Sequence, residues 1–199
     1  MKLPQFGDKQ YMSAPKIFAT DRLISTLFLW AIPDTITPNH ITLFRMIATP
    51  ATICLLAVKN YEWGVPLFLL VALTDALDGA LARTRNKITQ WGMMFDPLAD
   101  KLLIFPTLLI LMFSNLSPVL ALTIIVIELL IIFLALFWRK QGRVVEANVW
   151  GKIKMVLEVC GIFLILLAVW LALPLLGIAS FLLVASILFA IISTLRYGV

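Results

Sequence analysis

Hydrophobic positions in this chain gather into long runs instead of alternating or striping with polar ones. Windows of about twenty residues give six apolar segments, from His40 to Val58, Val65 to Arg83, Gln90 to Phe113, Pro118 to Trp138, Trp150 to Leu171 and Leu175 to Leu195. As helices rising about 1.5 Å per residue, such segments are long enough to cross a hydrocarbon layer of about 30 Å. The pattern predicts an all-α integral membrane protein with six transmembrane helices. A shorter apolar stretch, Leu23 to Ile32, stops at Pro33 and is about half the length a crossing needs. On a helix, Ile17, Ile24, Leu27, Phe28 and Ala31 would oppose Lys16, Thr20, Asp21, Ser25 and Thr26. This predicts an N-terminal amphipathic helix lying in the membrane interface, with a helix packed over the bundle as the alternative. The chain therefore divides into an N-terminal cytoplasmic segment, residues 1–36, and a six-span domain, residues 37–199. No linker, low-complexity tract or internal repeat interrupts it. Met1 to Tyr11 is polar and mixed in charge, so no secretory leader is expected there.

Composition agrees with the pattern: 62% of residues are hydrophobic, 14% are charged, and the mean hydropathy is +1.02, outside the usual soluble range. The two cysteines, Cys54 and Cys160, fall within apolar spans and read as buried thiols, not as a disulfide. Basic residues alternate along the chain. Lys2, Lys9, Lys16 and Arg22 precede the first span, and Arg83, Arg85 and Lys87 join the second to the third. Arg139, Lys140, Arg143, Lys152 and Lys154 join the fourth to the fifth, Arg196 follows the last, and the opposite loops carry Lys59 alone. Positive charge collects on the cytoplasmic side, so both termini and these two connections are expected there, in the cell membrane. The net charge of +5 then reflects topology and anionic headgroups or substrates. No nucleic-acid motif is present, and nucleic acid is not an expected partner.

Against this apolar background stand four aspartates, Asp75, Asp78, Asp96 and Asp100. A carboxylate at the centre of a spanning helix costs about 2.5 to 3.5 kcal/mol on insertion scales, so four imply compensating charge and a task. Asp75 and Asp78 are three apart and Asp96 and Asp100 four apart, so each pair shares a helix face. A chain reversal around Thr84 to Thr89 would set Asp78 opposite Asp96 and Asp75 opposite Asp100. The inner pair would lie about 10 Å from the membrane surface and the outer pair a turn deeper. Within the spans nearby only Arg45 and Lys101 are basic, and two cations cannot pair four anions. Hard oxygen ligands without histidine or cysteine favour Mg2+ or Mn2+, and four carboxylates are enough to hold two ions.

The fixed string Asp75, Asp78-Gly79, Ala82-Arg83, Gly92, Asp96, Asp100 resembles the signature of the CDP-alcohol phosphotransferase family at each of its eight positions, and spans about an eighth of the chain. The resemblance implies transfer of a phosphatidyl group from CDP-diacylglycerol to an alcohol with release of CMP, and a homodimeric assembly. It also implies Asp100 as the base, and draws in Thr89 as a nucleotide contact. The chemistry of the residues runs the same way. Divalent ions on Asp75, Asp78 and Asp96 would neutralise a diphosphate in a low-dielectric site. Gly79 and Ala82 leave room for a cytosine or sugar, Arg83 can pair with phosphate oxygens, and Asp100, beside the second ion, can accept the hydroxyl proton. Taken singly, Gly79, Ala82 and Gly92 would read as helix-packing residues and Arg83 as a juxtamembrane anchor.

Pro38, Asn39 and Thr42 open the first span and resemble the family's nucleotide-pocket segment, although a plain helix start explains them equally. His40 reads as an interfacial residue. Arg139, Lys140, Arg143, Lys152 and Lys154 supply more positive charge than a zwitterionic acceptor needs and suit a phosphorylated alcohol, with Arg139, Lys152 and Lys154 as its candidate ligands. Gly151 to Lys154 and Ile41 to Pro50 resemble the phosphatidylglycerophosphate synthase branch, which implies glycerol 3-phosphate. Met155 and Glu158 stand where that branch usually has threonine and glutamine, which keeps inositol phosphate and phosphatidylglycerol open as acceptors. Glu128 and Glu158 are open to pairing with Arg45 or Lys101 or to contact with the acceptor. From another class, a cation or proton transporter also places carboxylates in membranes, but its path should continue across the bilayer, whereas these cluster toward one face.

Overall fold

Residues that partition into an apolar medium must satisfy their backbone groups internally, and in this chain they do so as helices. The computed structural model describes residues 38–84, 90–113, 116–141 and 148–197, which form α1 (Pro38–Ala57), α2 (Tyr61–Thr84), α3 (Gln90–Met112), α4 (Pro118–Lys140), α5 (Val149–Leu171) and α6 (Leu176–Tyr197). Among the described residues there is no strand, and the fold is all-α. Among the described residues, four helical segments are long and apolar enough to cross a membrane: His40–Ala57, Pro118–Trp138, Val149–Leu171 and Leu176–Arg196. In α3 the apolar stretch is shorter, Lys101–Met112. The interfacial helix expected over residues 23–32 lies outside the described residues.

The larger departures of the helix ends from the hydropathy windows are extensions, while α1 and α3 end, and α6 begins, within a residue of the expected position. α2 begins at Tyr61 instead of Val65, with Glu62 in its first turn, α4 continues through Lys140, and α6 runs to Tyr197. Hydropathy marks only the apolar part of a helix. The backbone ladder continues into polar residues until a cap or breaker stops it. Such stops are visible. α1 closes through Lys59, with φ of 61°, as Asn60 N donates to Leu55 O at 2.9 Å. α5 closes at Ala172, with φ of 52°, as Leu173 N donates to Ala168 O at 3.1 Å, and Pro174 follows. At its start, Asn148 Oδ1 accepts from Gly151 N at 2.8 Å, satisfying an orphan donor of α5.

α5 and α6 form the most extensive pair, followed by α1 with α2; α1 also packs on α3, α2 on α5, and α4 on α6 and α3. The core they share is apolar, with Leu56, Phe68, Val71, Leu108, Leu111, Ile162, Ile165 and Leu183 all fully buried. On α4 the buried positions Ala121, Ile124 and Glu128 face inward, while Val119, Leu122, Val126, Leu130, Phe133 and Phe137 are exposed along the opposite side. A soluble protein rarely exposes so long an apolar stripe, and a lipid environment accounts for it. Both cysteines are free, but the expectation that they are buried is wrong. Cys54 and Cys160 are exposed on the outer helix surface, because an apolar window says a segment is in the membrane, not which face meets protein.

Candidate functional site

The inward face of α1 carries Thr42, Arg45, Thr49, Thr52 and Leu56, all buried, at helical three- and four-residue steps. Its hydroxyls return to the helix: Thr49 Oγ1 donates to Arg45 O at 2.7 Å and Thr52 Oγ1 to Ala48 O at 2.9 Å. Local back-bonding lets polar residues sit where no water reaches. Arg45, with its side chain 1% exposed, has no such local solution, and its Nη1 pairs with Oδ1 of Asp75 on α2, a carboxylate 18% exposed. Thr42 lies one turn before Arg45 on the same buried face of α1, and Arg45 meets Asp75 between α1 and α2.

A second ionic system joins the next three helices. Glu128, on α4 and 1% exposed, meets Lys101 Nζ of α3 through Oε2 and Lys154 Nζ of α5 through Oε1. Lys154 Nζ also lies 3.2 Å from Glu158 Oε2, one turn on along α5. Lys154 is thus turned into the bundle. Lys152, two residues earlier, is half-buried with its Nζ enclosed. The start of α5 is fastened to the end of α6, where Asn148 and Ser193 exchange hydrogen bonds at 2.8 and 3.0 Å, Trp150 stacks on Phe189 and Arg196 lies 5.9 Å over the Trp150 ring.

Of the residues expected from sequence, Pro38 and Asn39 begin α1, Asp78, Gly79, Ala82 and Arg83 occupy the last two turns of α2, Gly92, Asp96 and Asp100 the first three turns of α3, and Arg139 the end of α4. Their backbone is helical, and their side chains lie outside the described residues, as does Thr89. The mutual geometry of the four aspartates therefore rests on helix position alone. Among the described side chains no acidic, histidine or cysteine cluster forms a complete metal site. The donor chemistry still fits a hard cation. More than one turn from any helix end stand six carboxylates, Asp75, Asp78, Asp96, Asp100, Glu128 and Glu158, against three cations, Arg45, Lys101 and Lys154. That deficit of positive charge in an apolar bundle suits divalent ions held by oxygen.

Sequence reasoning left the partners of Glu128 open. The available signal was its isolation: it is the sole charged residue from Pro118 to Trp138, as Arg45 is from Ile41 to Ala57, and a lone charge in a spanning helix needs a partner on a neighbour.

The sequence model of the CDP-alcohol phosphatidyltransferase family matches residues 35–192, the whole six-helix region except its last turn. The chain belongs to the CDP-alcohol phosphatidyltransferase family. Relatives extend the match. A protein of Bacillus subtilis (strain 168) named CDP-diacylglycerol--glycerol-3-phosphate 3-phosphatidyltransferase is 34% identical over 147 residues, covering 65% of this chain and 76% of its own length. One of the same name from Wigglesworthia glossinidia brevipalpis is 32% identical over 168 residues, 80% of this chain and 91% of its own. The counterpart from Rickettsia typhi (strain ATCC VR-144 / Wilmington) is 33% identical over 134 residues, 65% of this chain and 75% of its own.

Proposed function

We infer that this membrane enzyme transfers the phosphatidyl group of CDP-diacylglycerol to glycerol 3-phosphate, giving phosphatidylglycerophosphate and CMP in phospholipid biosynthesis. The observation that carries this reading is the match to relatives of that name over three quarters or more of their length. In the reaction, the acceptor hydroxyl oxygen attacks the phosphorus that bears diacylglycerol. The bond from that phosphorus to the bridging oxygen of the diphosphate breaks, that oxygen leaves with CMP, and the hydroxyl proton passes to a base.

Asp100 is our candidate for that base. Asp75, Asp78, Asp96 and Asp100 would hold two divalent ions, Mg2+ or Mn2+, and bound ions would supply charge neutralisation at the diphosphate. Arg45 supports this assignment by holding one oxygen of Asp75 from the α1 side. Pro38, Asn39, Thr42, Gly79, Ala82, Arg83 and Thr89 are assigned to the nucleotide, with Thr42 supported by its buried place beside Arg45. Arg139 and Lys152 are assigned to the acceptor phosphate, and Lys154 to the same region through its contacts with Glu128 and Glu158. Six spans in the cell membrane, a cytoplasm-facing site and a homodimer complete the reading, supported by the alternation of basic residues and by family resemblance.

The test is CMP release from CDP-diacylglycerol by purified protein in detergent, with and without Mg2+, against a panel of glycerol 3-phosphate, inositol phosphate and phosphatidylglycerol. Release that depends on Mg2+ and on glycerol 3-phosphate supports the assignment. Release with another member of the panel alone moves the acceptor, and release with none rejects the activity.

A further inference from the structure

In a spanning bundle a lysine near a helix start ordinarily extends toward the headgroups, leaving its ammonium in water. Lys154, the sixth residue of α5, does the opposite: it turns inward to Glu128 of α4 and to Glu158, one turn farther from the helix start. Glu128 divides its two oxygens between lysines of different helices, Lys154 of α5 and Lys101 of α3. With Glu158 the quartet is balanced, two positive and two negative groups. Glu158 Oε1 is buried without a hydrogen-bond partner among the described residues. Buried ionic groups of this kind add little stability that apolar side chains would not supply, and their best-attested use is to fix register between elements. Lys101 follows Asp100 directly, and Lys154 stands two residues beyond Lys152, so the quartet links the two segments on which the transfer reaction draws.

We propose that Glu128 is a positioning residue for the acceptor: by bridging Lys101 and Lys154 it fixes the start of α5, with Lys152, against the segment of α3 that carries Asp100. This rests on the transferase reading above. The side chain touches neither substrate nor the reacting phosphorus. Its effect is on where the acceptor phosphate is held relative to the base.

The experiment compares Glu128→Gln and Glu128→Asp in the full chain, with each substrate varied in turn. Wild type is first run on the acceptor panel. If only inositol phosphate or phosphatidylglycerol supports turnover, the glycerol 3-phosphate reading fails and the comparison is made on the acceptor that works; if none releases CMP, both readings fall. For E128Q the acceptor KM should rise about tenfold or more, with the KM for CDP-diacylglycerol within about twofold of wild type. E128D, which keeps both oxygens, should recover most of the loss. Unchanged acceptor KM, or an equal change in both KM values together with a lowered unfolding temperature, overturns the proposal. Should E128Q fail to fold, Lys101→Met combined with Glu128→Gln removes one charge of each sign and keeps the Lys154 to Glu158 pair. A raised acceptor KM in that variant supports the positioning role, whereas a normal KM, or failure of this variant also to fold, assigns the quartet to structure alone.

Discussion

A single charged side chain in an apolar helix is a question that only a neighbouring helix can answer. Arg45 is answered by Asp75. Arg45→Met should leave that carboxylate uncompensated and destabilise the protein by about 3 to 5 kcal/mol, read as a lowered unfolding temperature in detergent. Adding Asp75→Asn should restore part of the stability but not the activity; a double variant as unstable as the single would show that the pair is not what holds α1 to α2. Asp100 is proposed for the chemistry instead. Asp100→Asn should lower CMP formation by about 10²- to 10⁴-fold while stabilisation by Mg2+ persists, and undiminished turnover would reject it as the base. The residue types at these positions were legible from sequence, because charge in an apolar run stands out. The sequence leaves the pairing of Arg45 among several options, because spacing along one helix does not say which helix lies opposite.

At the scale of the element, helix starts and stops are set by a few backbone positions. Ala172 closes α5 in the left-handed region, where a Cβ is strained, so Ala172→Gly should stabilise by about 0.5 to 1 kcal/mol after the larger chain entropy of glycine is subtracted. Gly161, in mid-helix, works by closeness: a Cβ there would lie 2.8 Å from both Leu183 Cγ and Cδ2 and 3.2 Å from the Ala179 carbonyl oxygen of α6. Gly161→Ala should therefore cost about 1 to 3 kcal/mol. Thermal midpoints in one detergent check both, and the argument fails if the signs agree. The helices themselves were legible as apolar runs. Their ends were not, since α2, α4 and α6 continue into polar residues that hydropathy discounts.

For the whole molecule, the apolar stripe along α4 and the outward placement of Cys54 and Cys160 describe a surface suited to lipid. Cys160, near the middle of α5, should resist a membrane-impermeant maleimide in sealed vesicles and react once the chain is unfolded. Labelling in intact vesicles would mean that this face of α5 meets water. Membership of the phosphatidyltransferase family fits the group-transfer role proposed for the carboxylates, which need only be reached from one side of the bilayer.

Read alone, the sequence establishes that this chain is helical with runs apolar enough for a membrane, and it sets the carboxylates within the second and third runs apart as candidates for the chemistry. These are properties of local composition and period, which the hydrophobic effect reads one segment at a time. The packing of the helices settles what the sequence leaves open: Arg45 turns to Asp75, Lys101 and Lys154 converge on Glu128, and the cysteines face outward. In an apolar medium a buried charge is held by whichever opposite charge the packing brings within reach, and that depends on how the helices neighbour and rotate against one another.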